Sequence, residues 1–498
     1  LQSKTQYTWW FCDDLPTDPR IDKGLILVTG ATGYIGGRLV PELLARNYRV
    51  RVMVRSFSPD YASRWPGAEI VQGDALDVEQ LNTALKGVDT AYYLIHSLLL
   101  GYKKFEKTDI QVAINFRIAA ENQKIKGIIY LSGLGKRNTQ LSPHLENRAI
   151  VGENLSQGPI PVTILRAGMI IGSGSASYEI LSNLVRNTPI FFIPGWAKTK
   201  SQPIALRDVI KYLVGVLELD EARGKEFDIG GKTILTYDKK LRDLAKLLGK
   251  KRIFLPAVIT THAVYGYLAS LLTPVPGPIT KVLVRGCRNE AICHNNEIRE
   301  LIKFEPLSFE EALIAALLRE EKDQVTSRWS DSFPYAHELS VKLTELNPVP
   351  KYNTSYCLLS FKEPASLFKS FCSIGGKVGW FQSNWMWRLR GMIDRLLLGV
   401  GSSRGRRSYS ELRVDDVIDF FRVENIKKDK LLLLRAEMKI PGKAWLEFII
   451  DSYEGLNKLS VTAYFQPSGI MGKLYWYFFL PFHFYLFKAL IKQIEKRS

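Results

Sequence analysis

At 498 residues, 46% of them apolar and 24% charged, the chain is too long for one hydrophobic core and has the balance of a globular protein, which excludes a disordered or fibrous polymer. Its net charge of +18 is uneven: from Val341 onward 25 Lys and Arg face 14 Asp and Glu, so the C-terminal third is the basic part. Five cysteines without a CxxC pair and six scattered histidines speak against a disulfide framework and a metal site, and fit a reducing compartment.

Residues 1–23 are polar and mixed in charge and do not read as a secretory signal. An apolar run, residues 25–29, then meets the turn Thr29-Gly30-Ala31-Thr32-Gly33-Tyr34-Ile35-Gly36, and residues 34–46 carry apolar side chains at helical spacing. Further strands are expected over 50–54, 69–71, 90–95, 127–131 and 162–165, with helix-compatible stretches between them. Such alternation predicts an α/β, doubly wound Rossmann fold with a parallel sheet. Within the turn, Gly30 permits a tight bend, Gly33 lets the backbone approach a pyrophosphate and Gly36 allows close helix packing. The helix N-terminus offers N–H groups and a partial positive charge to phosphates. Arg55, at the end of the second strand, stands where a carboxylate would mark NAD. It favours NADP(H) by pairing with a 2′-phosphate, with NAD(H) as the alternative if Arg55 is a solvated surface residue.

The segments TGATGYIGGRLV, VRVMVRS, GDALD, DTAYYLIHS, YLSGLG and LRAGMIIGSG resemble the atypical and extended short-chain dehydrogenase/reductase superfamily, near its NmrA-like members. The likeness runs from about residue 24 to 318. It implies that Asp74 hydrogen-bonds the adenine, that Ile95, His96 and Ser97 line the cofactor, that Gly168 borders the nicotinamide, and that Asp208 is structural. Active members carry Tyr-x-x-x-Lys; here the spacing places His144 and Arg148 at those two positions. His is a plausible acid–base substitute and Arg keeps the positive charge. Alternatively the two residues support a helix start, with Ser142 as cap and Pro143 at the first position. Ser132 falls in the region of the family's catalytic serine.

Residues 227–251 resemble the part that covers the substrate cleft in extended members, and 263–279 is apolar, broken by the prolines after Leu272. A helix over 307–319 and a polar stretch, 320–333, lead to a second architecture. Its expected strands are 355–361, 416–423, 430–438, 444–452 and 458–466, followed by a long, broken helix over 469–496. The segment 474–490 is interrupted by Pro481, His483 and Lys488 and is expected to pack on protein or lie at an interface. Strands closing on a terminal helix resemble the START-like helix-grip fold, an α+β domain. Segments such as WRLRGMIDRLLLG and YFQPSGIMGKLYWYFFLPFH are similar to a domain of unknown function that follows a Rossmann half in some bacterial proteins. Trp380, Trp385, Trp387, Trp445, Tyr464, Trp476 and Tyr477 line a ligand cavity or form plain core. The Gly/Ser-rich stretch with Arg404, Arg406, Arg407 and Arg413 fits a phosphate-rich ligand or an anionic membrane, or is a solvated loop, and lacks the interleaved aromatics of a nucleic-acid groove.

The expected organisation is therefore an N-terminal extension (1–22), a Rossmann domain (23–325), a linker (326–350) and a helix-grip domain (351–498). The expected function is a cytoplasmic NADP(H)-dependent oxidoreductase with an apolar or lipid-like substrate bound between the two domains, peripheral contact with the inner face of the membrane being a variant of that location. A non-catalytic NAD(P)H-binding sensor or assembly factor is the alternative.

Overall fold

In a computed structural model the structure describes residues 10–58, 60–96, 102–135, 141–321, 327–332, 342–343, 346, 348–376, 378–381, 384–401, 406, 408 and 412–498. The chain divides into two units, Leu1–Leu272 with Pro278–Phe333, and Thr273–Gly277 with Pro334–Ser498.

In the first unit seven strands form one sheet: β1 (Leu25–Val28), β2 (Arg49–Val54), β3 (Glu69–Gln72), β4 (Val88–Tyr93), β5 (Gly127–Gly133), β6 (Val162–Ala167) and β7 (Glu226–Ile229). Their order is β7-β6-β5-β4-β1-β2-β3 and every pairing is parallel. The flanking helices explain the unbroken apolar strands, since a sheet covered on both faces needs no polar side. Ile26 and Val28 point into the core shared with α1 (Gly36–Ala45), while Leu25 and Leu27 point into the core shared with α2 (Val78–Leu85), α3 (Tyr102–Asn122) and α4 (Pro143–Leu155). The strand order reverses between β1 and β4, and ligands of such sheets bind in the crevice at that point, beyond the C-terminal strand ends.

Residues 11–17 of the expected N-terminal extension belong to this unit. Phe11 and Cys12 donate their backbone N–H groups to Glu42 of α1, Thr17 donates to Glu218, and Lys211 pairs with Asp14 at 2.6 Å, so residues 11–17 pack on α1 and on α5 (Leu206–Glu218). Asp208 is buried on α5 and accepts the Leu307 N–H at 2.8 Å, the structural part its resemblance implies.

The second unit contains β8 (Tyr352–Ser360), β9 (Val417–Ile418), β10 (Phe421–Lys427), β11 (Leu431–Ala436), β12 (Gly442–Tyr453) and β13 (Leu456–Pro467), in the antiparallel order β8-β13-β12-β11-β10-β9. The strand expected over 416–423 is two strands, because Asp419 adopts φ 54° and turns the chain back on itself. Glu454 and Gly455, both at positive φ, close the hairpin between β12 and β13. Among the described residues three helices accompany the sheet: α6 (Pro364–Cys372), α7 (Asn384–Leu396) and α8 (Gly469–Arg497). Contrary to the expected break, α8 runs through Pro481, and packing on both sides of the proline, by Trp476 and Phe487, holds it continuous.

Two further expectations change. Trp380 and Trp387 stack at 4.3 Å as core, and Trp445 and Trp476 are buried, but Trp385 and Tyr477 lie on the outside, 65% and 62% exposed. Arg406 is not a solvated loop cation: its guanidinium is buried and donates to the carbonyls of Cys372 and Ile374, satisfying acceptors freed where α6 ends. Arg404 and Arg407 lie outside the described residues.

Candidate cofactor and active site

The turn after β1 is built around the end of β4. The Thr29 hydroxyl donates to the Tyr92 carbonyl at 2.9 Å, and the Thr29 N–H donates to the same oxygen at 3.0 Å. Gly30 sits at φ 66°, and a Cβ there would lie 2.5 Å from the Leu94 carbonyl oxygen, so only glycine fits. At Gly36 a Cβ would come within 2.5 Å of the Gly30 carbonyl oxygen, which enforces the close approach of α1. The Gly33 N–H closes the turn onto Gly30, whereas no backbone bond takes up the N–H of Thr32, Tyr34 or Ile35 among the described residues. Donors at a helix start without an acid in the first turn are a cradle for phosphate oxygens. The Tyr34 side chain plays no part in that cradle: its phenol is buried against Gly172, where burial raises its pKa.

Arg55 and Asp74 follow the ends of β2 and β3, and the Gly73 N–H donates to the Val54 carbonyl at 2.9 Å, so both residues stand on the edge that carries the glycine turn. Arg55 is exposed. One Asp74 oxygen accepts the Leu76 N–H at 3.0 Å and shapes its own loop.

Across the crevice, beyond β4, lies a cluster of titratable groups. His96 and His144, the latter in the first turn of α4, have ring centroids 5.1 Å apart. The Asp109 carboxylate on α3 pairs with His96 Nδ1 at 3.2 Å and accepts from Asn147 Nδ2 at 3.0 Å. Among the described residues, the buried atoms His96 Nε2 and His144 Nδ1 have no hydrogen-bond partner. Burial holds His144 well below the ordinary imidazole range, and His96 and Arg148 push the same way. His96 is lowered by burial too, with Asp109 pulling against it. Both rings are therefore neutral near pH 7, and the Asp109 pairing places the His96 proton on Nδ1. The glycine cradle and the orphaned imidazole nitrogens fit a dinucleotide laid across the strand-order reversal.

Residues 22–211 match the model of the NmrA-like family, and residues 353–490 match that of a protein of unknown function, DUF2867. The N-terminal unit contains an NmrA-like NAD(P)-binding domain. Photosystem II assembly factor Ycf39 of Trieres chinensis is 24% identical over 207 residues, 41% of this chain and 63% of that protein. The chain thus spans about three fifths of that relative's length. Ceramide reductase of Caulobacter vibrioides is 26% identical over 273 residues, covering 52% of this chain and 81% of that protein. Among solved structures, the triphenylmethane reductase of Citrobacter sp. has 21% identity and a TM-score of 0.48, over 59% of this chain and 99% of that one.

In this NmrA-like domain the remaining expected residues divide. Arg148 turns toward β5: its guanidinium donates to the Leu131 carbonyl and lies 4.9 Å from the centre of the Tyr130 ring. The Arg148 carbonyl in turn accepts from the Tyr130 hydroxyl at 3.0 Å and from Ser132 Oγ at 3.4 Å. Ser132 and Arg148 are thus brought together, while the ring beside His144 is that of His96, tilted 39° to it. Gly168 follows β6, and a Cβ there would meet the Gln202 carbonyl oxygen at 2.5 Å. Ile95 is half-buried at the end of β4, and Ser97 lies outside the described residues. Sequence reasoning missed Asp109 and Asn147. Asn147 stands between two residues already singled out, three positions from His144, but Asp109 sits on a long helix with no motif around it.

Proposed function

We propose that the NmrA-like domain is an NADPH-dependent oxidoreductase that interconverts a carbonyl and an alcohol on an apolar, lipid-like substrate. The observation that carries this reading is the His96–His144–Asp109 cluster just beyond the end of β4, where Leu94 packs against Gly30 of the glycine turn. When bound, the cofactor would supply the hydride as NADPH in reduction and accept it as NADP+ in oxidation. His144 relays the proton: its neutral imidazole gives the Nε2 proton to the substrate oxygen while a proton from solvent water is delivered to Nδ1, the atom left unpartnered, so that the ring ends neutral. Asp109 fixes the His96 tautomer, so His96 Nε2 faces the site as an acceptor. Arg55 selects NADPH through the 2′-phosphate. The apolar substrate class is supported by the likeness to ceramide reductase. NADPH oxidation in the presence of long-chain aliphatic ketones tests the reading: wild type turns over and His144→Phe does not.

A second reading, an NAD(P)H-binding assembly factor or sensor without turnover, is favoured by Arg148. Its guanidinium is committed to β5, where an active family member keeps a lysine for the nicotinamide ribose. The likeness to Ycf39 supports it as well. Tight NADPH binding with no oxidation of the bound nucleotide by any ketone would select this reading.

A further inference from the structure

The outer face of α8 is apolar although nothing in the described residues covers it. Leu474, Tyr477, Phe478, Phe482, Phe484 and Tyr485 are between 43% and 67% exposed. At 100° per residue they share one stripe about 24 Å long if it is counted from Ile470 to Tyr485. Lys488, Lys492 and Lys496 continue the same stripe and are exposed, so the face is aromatic along most of its length and cationic at its end. The opposite face is fixed: Trp476 stacks on Phe465 of β13 at 5.6 Å, and the Ile494 carbonyl accepts from Ser370 of α6.

A second apolar stripe lies on α7. Trp385, Leu389, Met392 and Leu396 recur on one side of α7, and all are exposed. The Lys439 carbonyl accepts from Arg390 of α7, while two residues on the Pro441 carbonyl accepts from Ser468 at the start of α8, so one short segment ties both helices. The acids of these helices are turned inward. Asp394 is buried and receives the N–H groups of Gly401 and Lys439, and Glu495 receives the Ser360 hydroxyl. What remains outward is aromatic, aliphatic and positive, with Arg388, Lys439 and Lys473 exposed beside the two stripes.

We propose that this face docks the C-terminal unit onto the surface of an anionic phospholipid bilayer. Tyr, Trp and Lys are the side chains that settle at headgroup level, and an interfacial helix buries its apolar side ~5–10 Å into the headgroup and acyl boundary. The helix lies on the bilayer rather than across it. Its length and mean hydropathy of 1.2 meet the requirement of a span, but its inner face is packed on its own sheet, which crossing would drag into hydrocarbon. The positive charge of the stripe selects anionic lipid, each lysine near the surface strengthening binding about fivefold.

Flotation of the full chain with vesicles of equal parts phosphatidylcholine and phosphatidylglycerol, or of phosphatidylcholine alone, tests the proposal. The protein should float with the anionic vesicles at low salt. A Tyr477→Ser/Phe478→Ser/Phe482→Ser variant should lose at least about tenfold in partitioning, and Lys488→Glu/Lys492→Glu should abolish the preference for the anionic lipid. The lost contacts are those with the Tyr352 and Phe479 rings, so circular dichroism should show the fold retained and the melting curve only a small shift. Independently of any variant, brominated phosphatidylcholine in the anionic vesicles should quench part of the tryptophan emission of the wild type, because Trp385 is exposed on the apolar side of α7. Wild type that stays at the bottom of every gradient overturns the proposal. So does a dimer, seen by light scattering, that the aromatic variant converts to monomer, since a second copy would then be what covers the face.

Discussion

A buried imidazole beside a second imidazole and a guanidinium is held neutral, and at His144 that neutrality has a measurable cost in acid. The unfolded chain protonates His144 at about pH 6.5, the folded chain only well below it. The unfolded state therefore binds more protons as pH falls below about 6.5, so stability is present above that pH and declines beneath it. Urea melts across this range should show a shallower decline in His144→Phe than in wild type; equal slopes would mean that His144 is not the group responsible. On activity, His144→Phe should lower turnover by about two to four powers of ten and leave NADPH affinity nearly intact. At the other end of the crevice, Arg55→Ala should reduce the preference for NADPH over NADH by about 1–3 kcal/mol, read by titration of nicotinamide fluorescence; an unchanged preference would remove Arg55 from the cofactor. His144 and Arg148 could be singled out by spacing against a motif, and His96 by the resemblance at the end of the fourth strand. The direction of the Arg148 side chain was not, because a guanidinium five atoms from its backbone is placed by its partners, here the Leu131 carbonyl and the Tyr130 ring. Asp109 was invisible for the same reason: its role exists only where α3 and α4 meet.

At the scale of elements, the glycine turn is the most constrained piece of the first unit. Gly30→Ala would meet both a positive φ and a carbonyl oxygen 2.5 Å away, and the combined strain should lower stability by about 1–3 kcal/mol and displace Leu94, weakening NADPH binding at the same time. A variant with wild-type stability and wild-type affinity would show that the turn relaxes freely. This turn was readable in the sequence because glycine spacing, a preceding apolar strand and a following amphipathic helix are local signals. The parallel strands were readable too, β1 to β6 falling within a few residues of expectation, since strands buried on both faces are uninterrupted apolar runs. The second unit was less legible at its turns and termini. The two-residue β9 depends on Asp419 at positive φ, and the continuity of α8 through Pro481 depends on tertiary packing that outweighs the lost hydrogen bond.

For the whole molecule, two units with separate sheets imply two cooperative folding events. Calorimetry should resolve two transitions, and NADPH should raise only the one that belongs to the NmrA-like domain, because a ligand stabilises what it binds; a single transition shifted as a whole would mean that the units unfold together. One division falls after Phe333 and Thr273–Gly277 groups with the second unit, while residues 11–17, set apart in the sequence as an extension, are bound into the first unit by Glu42, Glu218 and Lys211. No composition signal distinguishes such a strap from a loose tail. The measurement that bears most directly on the proposed chemistry is a crystal structure of the chain with NADP+. The account predicts the 2′-phosphate at Arg55, the pyrophosphate over the N–H groups of Thr32 to Ile35, and the nicotinamide ring beside His144. A nucleotide whose nicotinamide points away from His96 and His144, or a crevice that takes up no nucleotide, would contradict it.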